Sequence, residues 1–98
     1  MSALSLTRSE PSQNPTCAPT TCFSIQALAE PSVMSRILEL VAKRGLVATR
    51  FHADLSRGHR GAELTIDLHV EGLDRVRVEH IANSIRNMVA VIGVLTSE

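Results

Sequence analysis

Four histidines, two cysteines and ten acidic residues are the groups of this chain whose types could carry chemistry. Metal binding needs His or Cys pairs at ligand spacing, and general acid–base work needs a carboxylate or imidazole in a partly dry pocket. His52 and His69 fall in strand-like segments, His59 in a turn and His80 on a helix-like segment. None stands four residues from another and none has a helix-spaced carboxylate that makes a metal pair. They read as solvated surface groups, with His52 and His69 able to give an interface some pH sensitivity. Cys17 and Cys22 have four residues between them, but no second Cys/His pair matches their spacing. They read as reduced thiols, one in a tail and one at a strand edge. Asp67 and Glu71 lie on an alternating segment without the apolar pocket that raises a catalytic pKa. GxSxG, Walker, CxxC and HExxH patterns are all missing. The residue inventory points away from catalysis.

The most specific feature is positional. In FSIQALAEPSVMSRILELVAKRG (23–45) an alternating apolar run breaks at Glu30-Pro31-Ser32 and becomes helical periodicity that stops at Gly45. A strand thus ends on the N-terminus of an amphipathic helix, where free backbone N–H groups gather and can receive an anion such as an amino-acid carboxylate.

Composition bounds what such a junction can belong to. Ninety-eight residues, 44% apolar, make one domain with one core. With no Trp or Tyr and only Phe23 and Phe51, that core must be aliphatic, and a base-stacking surface is missing. Ten basic and ten acidic residues are interspersed, so no electrostatic footprint for nucleic acid is visible. No apolar run approaches the ~20 residues that span a bilayer. The start MSALSLTRSEPSQNPT lacks the apolar region of a signal peptide, and the expected location is cytoplasmic. Residues 1–21, rich in Ser, Thr and Pro, read as a disordered tail, and the folded unit as 22–98.

The elements that position the junction follow from periodicity. Phe23, Ile25, Ala27 and Ala29 alternate as a strand. Ser32 is the expected N-cap of a helix whose stripe is Val33, Met34, Ile37, Leu38, Leu40 and Val41, closed by Gly45 as its C′ residue. Residues 46–55 and 62–71 read as strands joined by the turn 56–61. Pairing Phe51 with Ile66 sets Ala53 against Leu64 and Leu55 against Ala62 on the buried face, and Arg50 against Asp67 outside. A second helix starts at the N-cap Asp74, with Leu73 and Val78 as a hydrophobic staple and Val78, Ile81, Ala82 and Ile85 as its buried stripe. It ends near Asn87, and residues 89–95 form a last strand. Right-handed crossovers turn this β-α-β-β-α-β order into an α+β, ferredoxin-like fold, a four-stranded antiparallel sheet with both helices on one face. The uncovered face then carries Arg50, His52, Asp54, Glu63, Thr65, Asp67 and His69. An acylphosphatase of this topology would need a Gly-rich phosphate loop with an Arg after strand one, where Ala29-Glu30-Pro31-Ser32 stands instead.

On EPSVMSRILELVAKRG, LVATRFHADL, AELTIDLHVEG and IANSIRNMVAVIGV, residues 23–98 resemble an ACT domain. Within that family they look most like the short, single-domain regulatory (small) subunit of acetolactate synthase. The resemblance implies a non-catalytic protein that dimerises through sheet edges or helices and binds and activates the large subunit. Thiamine diphosphate, Mg and FAD would reside on that large subunit, and none on this chain. A branched-chain amino acid would be the effector, held by Ala29, Glu30, Ser32, Val33 and Met34 and, across a dimer, by Val47. Amino-acid-responsive members typically carry Asn-x-x-Gly at the junction and an Asn two residues after the helix-ending Gly. Here these positions are Ala29, Ser32 and Val47. Two lost hydrogen-bond partners, at about 1 to 3 kcal/mol each, weaken binding about 30-fold or more. The expectation is a weak or absent valine response. The competing expectations are a stand-alone amino-acid sensor without a synthase partner, and a metal-handling domain using Cys17, Cys22 and a histidine.

Overall fold

A computed structural model describes residues 19–59 and 61–97. The element order is β1 (Thr20–Leu28), α1 (Pro31–Lys43), β2 (Ala48–Gly58), β3 (Gly61–Glu71), α2 (Arg75–Arg86) and β4 (Val91–Ser97). The strands form one antiparallel sheet in the order β2-β3-β1-β4. This is the ferredoxin-like βαββαβ arrangement that the periodicity predicts.

Every second residue of the central strands faces the helices, so period-2 alternation becomes a single core. Phe23, Ile25 and Ala27 of β1 and Leu64, Ile66, Leu68 and Val70 of β3 are buried. They meet Val33, Ile37 and Val41 from α1 and Val78, Ile81, Ala82 and Ile85 from α2. The core is aliphatic around one ring, Phe23. The alternate residues Ser24, Gln26, Thr65, Asp67 and His69 line the open face.

Local chemistry sets the helix ends. α2 begins where the sequence places it: the Asp74 carboxylate accepts from the Arg77 N–H at 2.8 Å, and Leu73 and Val78 are both buried. α1 ends as expected at Gly45, whose φ of +73° is a left-handed conformation. The Gly45 N–H bonds the Ala42 carbonyl at 2.9 Å and the Leu46 N–H bonds the Val41 carbonyl at 3.1 Å, a full Schellman closure.

Four details depart from the sequence reading. Residue Ser32 is not the N-cap of α1: Glu30 occupies that position without a side-chain cap, and Pro31 follows as the first helical residue. Proline fixes φ and lacks the donor that a cap would satisfy, so the helix starts two residues early. The β2–β3 hairpin is tighter, with Gly58 opposite Gly61. Pairing is consequently shifted by two residues: Phe51 faces Leu68, Ala53 faces Ile66 and Leu55 faces Leu64. An even shift keeps every side chain on its face, which is why the face assignments survive the wrong register. Third, β4 runs from Val91 to Ser97, two residues later than expected at each end. Finally, the boundary of the expected tail, residues 1–21, moves: Thr20 and Thr21 already pair with Glu71 and Val70, and Thr21 is buried. Residues 1–18 of that tail, with Cys17, lie outside the described residues.

Candidate functional site

The β1–α1 junction is fastened on both sides. The Leu28 N–H bonds the Ala90 carbonyl at 2.8 Å and the Ala29 N–H bonds the Ala62 carbonyl at 3.1 Å. The chain then reverses through a bond from the Glu30 N–H to the Leu28 carbonyl at 2.8 Å. The first turn of α1 is held in this way over the end of the β2–β3 hairpin.

Between them lies an open groove of about 480 Å³. Its walls are Ala29, Glu30, Pro31 and Met34 from the junction, Ala53 and Leu55 from β2, and Ala62 and Leu64 from β3. Three alanines leave the space, and Leu55, on the edge strand, is 54% exposed. Glu30 is the one ionisable group of the lining.

Of the sequence-predicted site residues, Ala29, Glu30 and Met34 line this groove. Ser32 is exposed and Val33 points into the core. Val47 stands 76% exposed beyond the other end of α1, a 13-residue helix about 20 Å long. It does not share a site with Ala29 within one protomer. Sequence reasoning missed the hairpin wall, Ala53, Leu55, Ala62 and Leu64. Small inward residues at 53 and 62 opposite Ala29 were the available signal.

The helix mouth is poorly equipped for an anion. Pro31 has no N–H, and the Val33 N–H is spent on the Glu30 carbonyl at 3.1 Å. Glu30 already places a negative charge where the helix dipole favours one. A ligand carboxylate would meet like charge there. What remains is an apolar trough.

On the open sheet face, His52 Nε2 lies 3.1 Å from Asp54 Oδ2, with Asp67 across the strand pair. The expected Arg50–Asp67 pairing is replaced by Arg50 opposite His69, a consequence of the register. Both members of the His52–Asp54 pair are more than half exposed, and such pairs add little stability. Among the described residues, no three His, Cys, Asp or Glu side chains converge as metal ligands. Among the same residues, no helix is long and apolar enough to cross a membrane.

Residues 13–98 match the sequence profile of the ACT-like domain family, and the chain belongs to that family. Its fold is that of the ACT domain of a GTP pyrophosphokinase from Chlorobium tepidum, with a TM-score of 0.66 at 12% identity over 84% of this chain and all of that one. It also resembles a homoserine dehydrogenase from Thiobacillus denitrificans (TM-score 0.63, 16% identity, 83% of this chain but 17% of that enzyme). A third similar structure is the C-terminal domain of the MgtC protein from Mycobacterium tuberculosis (TM-score 0.63, 12% identity, 82% of this chain and 86% of that one). Comparison with curated protein sequences gives no match. ACT domains are regulatory rather than catalytic, and they are an amino-acid-binding class.

Proposed function

We propose that this chain is a cytoplasmic regulatory subunit that acts by protein contact, as the small subunit of a thiamine-diphosphate-dependent acetolactate synthase, with little or no response to valine. The observation that carries the second half is the junction itself. Ala29 stands where an amide donor would be needed, Pro31 brings no N–H and Glu30 sets like charge at the helix mouth, while an apolar groove persists beside them. The first half draws its support from the likeness of residues 23–98, within the ACT family, to the short single-domain form of that subunit. The groove and the neighbouring edge strand β2, with half-buried Phe51 and Ala53 and exposed Leu55, offer apolar surface suited to a protein partner.

Reconstitution tests this reading. Mixed with the large synthase subunit of the same organism, the chain is expected to co-purify and to raise acetolactate formation, and added valine to leave that activity nearly unchanged. No co-purification and unchanged activity would reject it.

The apolar groove also supports a second reading, a stand-alone sensor of a branched-chain amino acid. Calorimetric titration with the twenty amino acids separates the two, because a micromolar binder that ignores the synthase fits only the sensor.

A further inference from the structure

A four-strand sheet has two edges, and here they are built differently. β2 has a register shift at its start, between Ala48 and Arg50, and then pairs with β3 without interruption from Arg50 to Gly58. At the other edge, β4 pairs with β1 through a break: Gln26 faces Gly93 while Ala27 faces Val91, which leaves Ile92 as an extra residue. Such a bulge interrupts the row of backbone groups that an added strand would use.

A side chain covers what the bulge leaves. From the last turn of α2, Arg86 donates through Nη2 to the Val94 backbone carbonyl at 3.2 Å, in a partly buried contact. Its Nη1 donates to Asn83 Oδ1 at 2.8 Å, one turn back on the same helix. Asn83 therefore holds the guanidinium on the strand. Val94 sits near the middle of β4, with its own side chain in the core.

We infer that Arg86, oriented by Asn83, closes the β4 edge to strand addition and makes the sheet one-sided in its capacity to pair. The physical consequence is termination. A strand edge pairs with its own copy about a two-fold axis, and one such edge gives a closed dimer. Two open edges give a sheet that grows at both ends without closing. Leu95 and Ile92, 74% and 42% exposed beside the plugged carbonyl, would supply the apolar grip for that growth. This inference stands on the edge geometry and is independent of the synthase assignment.

The test is sedimentation velocity of the full chain across micromolar to high-micromolar concentration. Arg86→Ala is expected to add species of about twice the wild-type mass and larger, since each new edge pairing joins two existing particles. Arg86→Lys, which keeps the charge but loses the planar fork that spans Asn83 and Val94 through two separate nitrogens, is expected to do the same in part. The double variant Arg86→Ala with Leu95→Lys, which guards the edge with a different charge, is expected to return to the wild-type distribution. If Arg86→Ala is unfolded by circular dichroism, Asn83→Ala, which only frees the guanidinium, replaces it. A folded Arg86→Ala or Asn83→Ala variant with the wild-type distribution would overturn the inference, as would larger species that Leu95→Lys fails to reverse.

Discussion

Glu30, Pro31 and Ser32 illustrate how three residues can preserve a site's position while changing what it accepts. Their place between a strand and a helix is readable from sequence because periodicity switches there from two to 3.6. The identity of the cap was not readable. Ser32 has the better capping side chain, but Pro31 cannot continue a strand and is preorganised for the first helical position, so Glu30 takes the cap. The groove was missed for a related reason: cavities depend on which small residues face one another, and Ala29, Ala53 and Ala62 are separated in sequence. If the amide donors are what this junction lacks, restoring them should restore a ligand. The triple variant Ala29→Asn, Ser32→Gly, Val47→Asn is expected to bind valine about 30-fold more tightly than the native chain by calorimetry. Because Ala29 and Val47 lie at opposite ends of α1, the gain is expected only under conditions where sedimentation shows a dimer. An unchanged affinity would mean that Glu30, not the missing amides, controls the site.

At the level of helices and strands, the ends with a single dominant chemical cause were legible and those decided by competition were not. Asp74 followed by a staple and Gly45 after a basic last turn each predict their boundary, and both hold. Asp74→Ala should lower stability by about 1 kcal/mol, a drop of about 4–8 °C in melting temperature for a domain of this size. Gly45→Ala meets no atom within 4 Å, so its cost is conformational alone. It is expected to be about 1–2 kcal/mol, measurable by urea denaturation with an unchanged m-value. The β2–β3 register was missed by two residues because both faces tolerate an even slip: Leu55 finds an apolar neighbour in Ala62 or in Leu64. The hairpin turn decides between them, and Gly58 with Gly61, at φ +92°, favours the tighter one.

Taken whole, the molecule is two layers around a thin aliphatic core, and its stability rests on few residues. Ile66, fully buried on a central strand, has neighbours from both helices in the same core cluster. Ile66→Ala is expected to cost about 2–5 kcal/mol, a large share of the 5–15 kcal/mol typical of a domain. Urea titration of the variant checks this, and a loss below 1 kcal/mol would mean that the two layers close over the cavity. The fold class was legible at this scale because alternation and helical stripes each name one buried face. Which surfaces meet other molecules was not, since edges and grooves arise only after assembly. The pairing of β1 with β4 carries one more consequence. Cys22 and Ser97 are direct partners, so the incoming and outgoing chain pass within about 5 Å of each other at one corner of the sheet. A unit entered and left through the same door can be spliced into a surface loop of a host with little disturbance to either. It can also be rewired: joining 97 to 20 through a short linker and opening the chain in the 58–61 turn should leave one cooperative urea transition. That portability suits a fold that also occurs as 17% of a homoserine dehydrogenase.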